Sequence, residues 1–122
     1  MALKLSELVD LLDGEVLIGR ESEDLSFQFC TASDLMSDVL RGPTSGSVLI
    51  TGLNNTQVIR ASVIANVAAI ILVRGKDPDE DLVKQAGEHG IPLLRTPLTM
   101  FTACGRLFKA GLRGVDGLVL QE

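Results

Sequence analysis

Tryptophan and tyrosine are absent from this 122-residue chain, and only four phenylalanines stand in for them. A surface that stacks bases draws on several aromatic side chains, so a nucleic-acid platform has little to be built from. The formal net charge of −5 points the same way, because a polyphosphate backbone calls for a cationic face. Histidine occurs once, at His89, and cysteine twice, at Cys30 and Cys104. That is too little for a zinc cluster or a disulfide framework. No apolar run approaches the about 20 residues of a membrane-spanning helix. The opening Met1-Ala2-Leu3-Lys4-Leu5-Ser6-Glu7 turns acidic at once, unlike a secretion signal. These absences describe a cytoplasmic protein with no nucleic-acid partner, no membrane partner and no metal. Its two thiols are expected to be reduced, buried and used as small apolar groups.

Catalytic constellations are missing as well. The chain has no Gly-x-Gly-x-x-Gly fingerprint, so a dinucleotide site of that kind has no support. Gly14-Glu15-Val16-Leu17-Ile18-Gly19-Arg20 has the outline of a phosphate loop, but it lacks the Lys-Ser/Thr ending and its middle reads as a strand. His89 stands at the end of a helical pattern, where capping the last carbonyls accounts for it without an activated nucleophile. Asp34 and Asp38, spaced i, i+4, read as a solvated helix face or a partner contact. No catalytic residue is assigned, no cofactor is expected, and the chain is not read as an enzyme.

What is present is a run of three strand–turn–helix units between residues 47 and 111. Their strands are Val48-Leu49-Ile50-Thr51, Ile70-Ile71-Leu72-Val73 and Pro92-Leu93-Leu94-Arg95. Short apolar runs, each followed by a helical pattern, are the mark of buried parallel strands. The length and an apolar content of 46% suit one domain with its own core. The fold class expected is therefore α/β: three consecutive βα units in a largely parallel sheet with flanking helices, preceded by an N-terminal α-β-β-α portion. In that portion Leu5, Leu8, Val9 and Leu12 mark a helix, residues 15–19 and 25–32 mark strands, and Ser33 caps a helix over 34–40. Phe27 and Phe29 fall on one face of the second strand. The later helices are expected to be capped by Asn54 or Asn55, by Asp77 with Pro78 and Glu80 behind it, and by Thr96 ahead of Pro97. Leu98, Phe101, Cys104 and Phe108 form the expected buried stripe of the last helix. The domain is expected to span 1–113, with 114–122 as a tail in which Leu118-Val119-Leu120 can pair as an edge strand.

Charge is segregated along the chain. Residues 39–76 contain no acid, only Arg41, Arg60, Arg74 and Lys76, and residues 90–114 repeat the pattern. In an open parallel sheet, ligands bind beyond the carboxyl ends of the strands. The candidate binding residues are accordingly those at the three tips: Thr51, Gly52, Asn54, Asn55, Arg74, Gly75, Arg95 and Thr96. Free N–H groups after Gly52, with arginines on the neighbouring tips, would attract a small anion. A plain turn and helix cap accounts equally well for Gly52 and the two asparagines.

The chain resembles the DRTGG domain family over nearly its whole length. The resemblance is carried by residues 32–40 (Ala-Ser-Asp-Leu-Met-Ser-Asp-Val-Leu), Leu49-Ile50-Thr51-Gly52, Ala69-Ile70-Ile71-Leu72 and Gly90-Ile91-Pro92-Leu93-Leu94-Arg95-Thr96. Where the family's name derives from Gly-Asp-Arg after one strand and Thr-Gly-Gly after the next, this chain has Gly52-Leu53-Asn54-Asn55 and Val73-Arg74-Gly75. The resemblance implies a fold akin to the N-terminal domains of HPr kinase/phosphorylase and of MurF-type ligases. It also implies a regulatory or dimerising role beside CBS domains, phosphotransacetylases or cobyrinic-acid synthase-like modules, with no catalytic residues to carry over. The function expected is that of a stand-alone regulatory adaptor, homodimeric, that binds a small anionic ligand at the strand tips and signals to a partner protein in trans. A ligand-free interaction or scaffold domain is the alternative.

Overall fold

A computed structural model describes residues 2–116 of the chain. Among the described residues eight strands and five α-helices follow in the order β1 (Leu3–Lys4), α1 (Leu5–Leu11), β2 (Glu15–Ile18), β3 (Ser26–Phe27), β4 (Phe29–Ala32), α2 (Met36–Arg41), β5 (Val48–Thr51), α3 (Gln57–Ala65), β6 (Ala69–Leu72), α4 (Glu80–Glu88), β7 (Leu93–Arg95), α5 (Met100–Lys109) and β8 (Arg113–Gly114), with one 3-10 turn at Arg20–Ser22. The main sheet has the order β2-β7-β6-β5-β4-β8. β4, β5, β6 and β7 run parallel, β8 joins β4 in parallel, and β2 closes the other edge antiparallel to β7. The three βα units and the α/β class are as the sequence predicts.

Every residue of β5 and β6 is buried. Side chains alternate across a strand, so each strand feeds both faces of the sheet. Val48, Ile50, Ala69, Ile71 and Leu94 meet Leu5, Leu8 and Leu12 of the α1 region and Ala103 and Leu107 of α5 on one face. Leu49, Ile70, Leu72 and Leu93 meet Val39, Val58, Ile59, Leu82 and Ala86 of α2, α3 and α4 on the other. This two-sided burial explains why the strands read as unbroken apolar runs rather than as alternating ones.

Several local expectations are corrected. Residues 25–32 do not form one strand: the chain breaks at Gln28, β3 pairs antiparallel with β1 in a separate ladder, and β4 turns into the main sheet. Phe27 is consequently buried while Phe29 is exposed. The helix expected from Asp34 begins at Met36, because Ser33 Oγ accepts from Leu35 N–H at 3.0 Å and holds the intervening turn open. Asp34 and Asp38 therefore do not share a helix face. The cap of α4 is Asp79, whose carboxylate accepts from Leu82 N–H, and not Asp77.

In the same way Thr99, accepting from Thr102 N–H, caps α5 in place of Thr96. Within the helix Met100, Ala103, Cys104 and Leu107 pack inward at i, i+3, i+4, i+7. Phe101 and Phe108 are left exposed. Cys30 and Cys104 are unpaired but only half buried. β8 is the short strand Arg113–Gly114, and the Leu118-Val119-Leu120 segment lies outside the described residues.

Candidate strand-tip ligand site

Parallel pairing sets Thr51 level with Leu72, and Leu72 level with Arg95, so the turns after β5, β6 and β7 leave the sheet at one end. Thr51, Gly52, Arg74, Gly75, Arg95 and Thr96 are all found there, as is Asp34 from the turn after β4. The end divides into two neighbouring groups.

The first group is built on Gly52. Its N–H donates to Asp34 Oδ1 at 2.6 Å, and Thr51 Oγ1 donates to the same oxygen at 3.2 Å. Arg74 Nη2 reaches the second carboxylate oxygen, Oδ2, at 3.4 Å. These donors hold the Asp34 carboxyl below its ordinary pKa, the Gly52 N–H most of all, with Thr51 and Arg74 adding to it. Arg74 takes a left-handed backbone at φ 69°, a conformation that costs a side-chain-bearing residue about 1–2 kcal/mol. Its N–H donates to Leu98 O at 2.7 Å and Gly75 N–H donates to Thr96 O at 2.9 Å, which ties the β6 turn to the β7 turn. Lys76 donates to Gly52 O at 3.2 Å.

The second group surrounds Arg95. β2 lies antiparallel beside β7 with Glu15 opposite Arg95, and Arg95 Nε donates to Glu15 Oε1. Arg95 Nη1 also lies 3.8 Å from Asp77 Oδ1. Asp13, Gly14, Glu15, Gly75, Arg95, Thr96 and Pro97 line an open cleft of about 270 Å³. Asn54 bridges toward this group by donating to Asp77 O at 2.7 Å and accepting from Asp79 N–H at 2.8 Å. Asn55 turns away, its side chain accepting from Gln57 N–H at the start of α3.

The two strand-end threonines repeat one design. Each hydroxyl is buried, accepts from the N–H two residues on (Leu53, Leu98) and donates onward, Thr51 to Asp34 and Thr96 to Leu12 O. Thr96 is thereby committed to the core. The sequence also suggests a basic tip, whereas the fold returns acids to it: Asp34 meets Arg74, and Glu15 and Asp77 meet Arg95. Asp34, Glu15 and Lys76 are the members that sequence reasoning misses. The one available signal is Ser33 two residues before the Leu35 N–H, a spacing that favours a side-chain turn over a helix start. Among the described residues no group of three or more His, Cys, Asp or Glu is arranged to hold a metal ion. No helix among them is long and apolar enough to cross a membrane.

A mostly parallel sheet with helices on both faces, and with Arg74 and Arg95 at one end, defines an open α/β domain. The family model of the DRTGG domain matches residues 7–110, and the chain belongs to that family. It is 28% identical over 109 residues to the uncharacterized protein YtoI of Bacillus subtilis (strain 168), a match covering 88% of this chain and 24% of YtoI. Among solved structures it is similar to the CBS and DRTGG domains of the regulatory region of Clostridium perfringens pyrophosphatase, which is complexed with the activator diadenosine tetraphosphate. That likeness has a TM-score of 0.69 at 22% identity, covers 89% of this chain and 46% of that one, and bears on the fold. The chain thus spans about a quarter of the curated relative and under half of the solved one.

Proposed function

We propose that this chain is a regulatory domain that binds a small anionic ligand, a nucleotide or phosphorylated metabolite, at its strand tips and passes the bound state to a partner protein. The observation that carries this reading is the placement of Arg74, Lys76 and Arg95 at one sheet end, where Arg95 lines an open cleft of about 270 Å³. Membership of the DRTGG family supports it, as does the related pyrophosphatase region, which is regulatory and holds a nucleotide activator. Catalysis is no part of the proposal, which rests on the regulatory character of the related pyrophosphatase region. A reducing, cytoplasmic setting suits the two unpaired thiols.

A second copy of the chain is the proposed partner across α2 and α3. Leu35, Leu40, Val63 and Ile64 are exposed there, and a groove of about 200 Å³ runs between Met36, Leu40, Arg60 and Ile64. The groove is mostly apolar with one cation, Arg60, on its rim, and two copies related by a two-fold axis would bury the exposed Leu40 and Ile64 of each. This face also suits a ligand-free interaction domain.

A thermal-shift screen with nucleotides, diadenosine tetraphosphate and phosphorylated metabolites tests the ligand reading. A compound at 100 times its Kd stabilises the fold by about 2.7 kcal/mol, a rise of several degrees in Tm. A flat response across the panel leaves the interaction reading in its place.

A further inference from the structure

The turn after β4 delivers a carboxylate into a set of donors that belongs to other strands. Asp34 Oδ1 accepts from Gly52 N–H at 2.6 Å and from Thr51 Oγ1 at 3.2 Å, while Oδ2 faces Arg74 Nη2 at 3.4 Å. A backbone N–H, a hydroxyl and a guanidinium converging on two geminal oxygens form a receptor for an oxyanion, whichever molecule carries it. The hydroxyl and the backbone of this receptor are held independently of Asp34. Thr51 Oγ1 is held by Leu53 N–H at 3.1 Å, and Arg74 N–H is tied to Leu98 O at 2.7 Å. Residue 52 is glycine at the point where a Cβ would fall 1.8 Å from Arg74 Nη2.

The carboxylate itself is less fixed. The Asp34 side chain is 51% exposed and sits on a short turn ahead of α2. Beside it Lys76 donates only to Gly52 O and has no ion-pair partner among the described residues, leaving a positive charge for a group more highly charged than a carboxylate. A phosphate monoester is such a group.

We propose that Asp34 is a resident stand-in for the phosphate of this domain's ligand, so that binding is an exchange. The phosphate takes Thr51 Oγ1, Gly52 N–H and Arg74 with Lys76 beside it, and Asp34 turns out into solvent with the start of α2. Loading the tip is thereby coupled to the position of α2, whose exposed residues belong to the face proposed for the second copy. The inference rests on the strand-tip reading above and adds the internal competitor and its coupling to α2.

The test titrates inorganic phosphate into the full chain and its variants by calorimetry, with circular dichroism confirming the fold. Removing an intramolecular competitor raises affinity, so Asp34→Ala binds phosphate about tenfold or more tighter than the wild type. Asp34→Asn, which keeps an acceptor for Gly52 N–H, guards against a folding defect and gains less. Adding Arg74→Ala to either variant abolishes the gain. Folded variants with no gain, or a gain that survives loss of Arg74, overturn the exchange. A wild type that binds nucleotides no more weakly than Asp34→Ala overturns the exchange and leaves the ligand reading standing. A gain in the variants, with a wild type that binds nothing in the nucleotide screen, upholds the cradle and overturns the ligand reading.

Discussion

The Arg74 guanidinium rests against Gly52 so closely that a Cβ on residue 52 would lie 1.8 Å from Nη2. Gly52 is not among the positive-φ residues, so its backbone suits alanine and only the far end of Arg74 must give way. Gly52→Ala is expected to change stability by less than about 1 kcal/mol, because the Arg74–Asp34 pair it disturbs is half exposed. Phosphate binding in the Asp34→Ala background should nevertheless fall to the level seen without Arg74. Urea denaturation and calorimetry on the same samples check both halves.

The Asp34 carboxyl, held below its ordinary pKa first by Gly52 N–H, makes stability depend on pH. A folded pKa below the unfolded one gives stabilisation that is present above the unfolded pKa and lost as pH falls through the folded value. Comparing urea midpoints of the wild type and Asp34→Asn between about pH 6 and about pH 2 should show their difference shrinking on the acid side. A difference independent of pH would mean that the carboxylate gains nothing from its donors.

Thr96 is predicted to matter for folding and not for binding. Its buried hydroxyl donates to Leu12 O at 2.5 Å and accepts from Leu98 N–H at 3.2 Å. Thr96→Val keeps the shape and strands both partners, at an expected cost of about 1–3 kcal/mol. A lower urea midpoint with unchanged nucleotide affinity is the expected outcome; a selective loss of affinity would return Thr96 to the ligand site.

Burial, with Cys104 as neighbour, pushes the Cys30 thiol up to about 11, and burial raises Cys104 as well. At about pH 8 an ordinary thiol of pKa about 8.5 is roughly a quarter ionised, whereas one near 11 is about a thousandth ionised. Iodoacetamide should label both cysteines slowly in the native chain and rapidly after unfolding in urea. Fast native labelling would show an open, ionised thiol.

Ile64, 75% exposed on α3, is the residue to change for assembly. Light scattering on the wild type should return twice 13.0 kDa at micromolar concentration, and Ile64→Glu should return the single mass with the same circular dichroism. A wild type already at the single mass removes the dimer.

The sheet was legible in the sequence because β5 and β6 are buried on both faces, which leaves an unbroken apolar signal in Val48–Thr51 and Ala69–Leu72. The starts of α4 and α5 were not, because two candidate caps lie within three residues of each other in both. Asp77 and Asp79 both suit α4, and Thr96 and Thr99 both suit α5; tertiary partners chose between them. The positions of Thr51, Gly52, Arg74 and Arg95 at one sheet end followed from parallel pairing alone. Their occupation by Asp34, Glu15 and Asp77 could not follow, since it depends on β2 lying beside β7 and on the turn that Ser33 holds open.

An amide correlation spectrum of the ¹⁵N-labelled chain, titrated with each nucleotide that raises Tm, tests the central claim most directly. Asp34 is hydrogen-bonded to Gly52 N–H, so exchange of that partner for a phosphate must move the Gly52 amide signal. The account predicts saturable shifts at Gly52, Leu53 and the Arg74 side chain, accompanied by Leu35 and Met36 at the start of α2. Shifts that leave Gly52 in place while other surfaces respond, or none with any nucleotide, would contradict it.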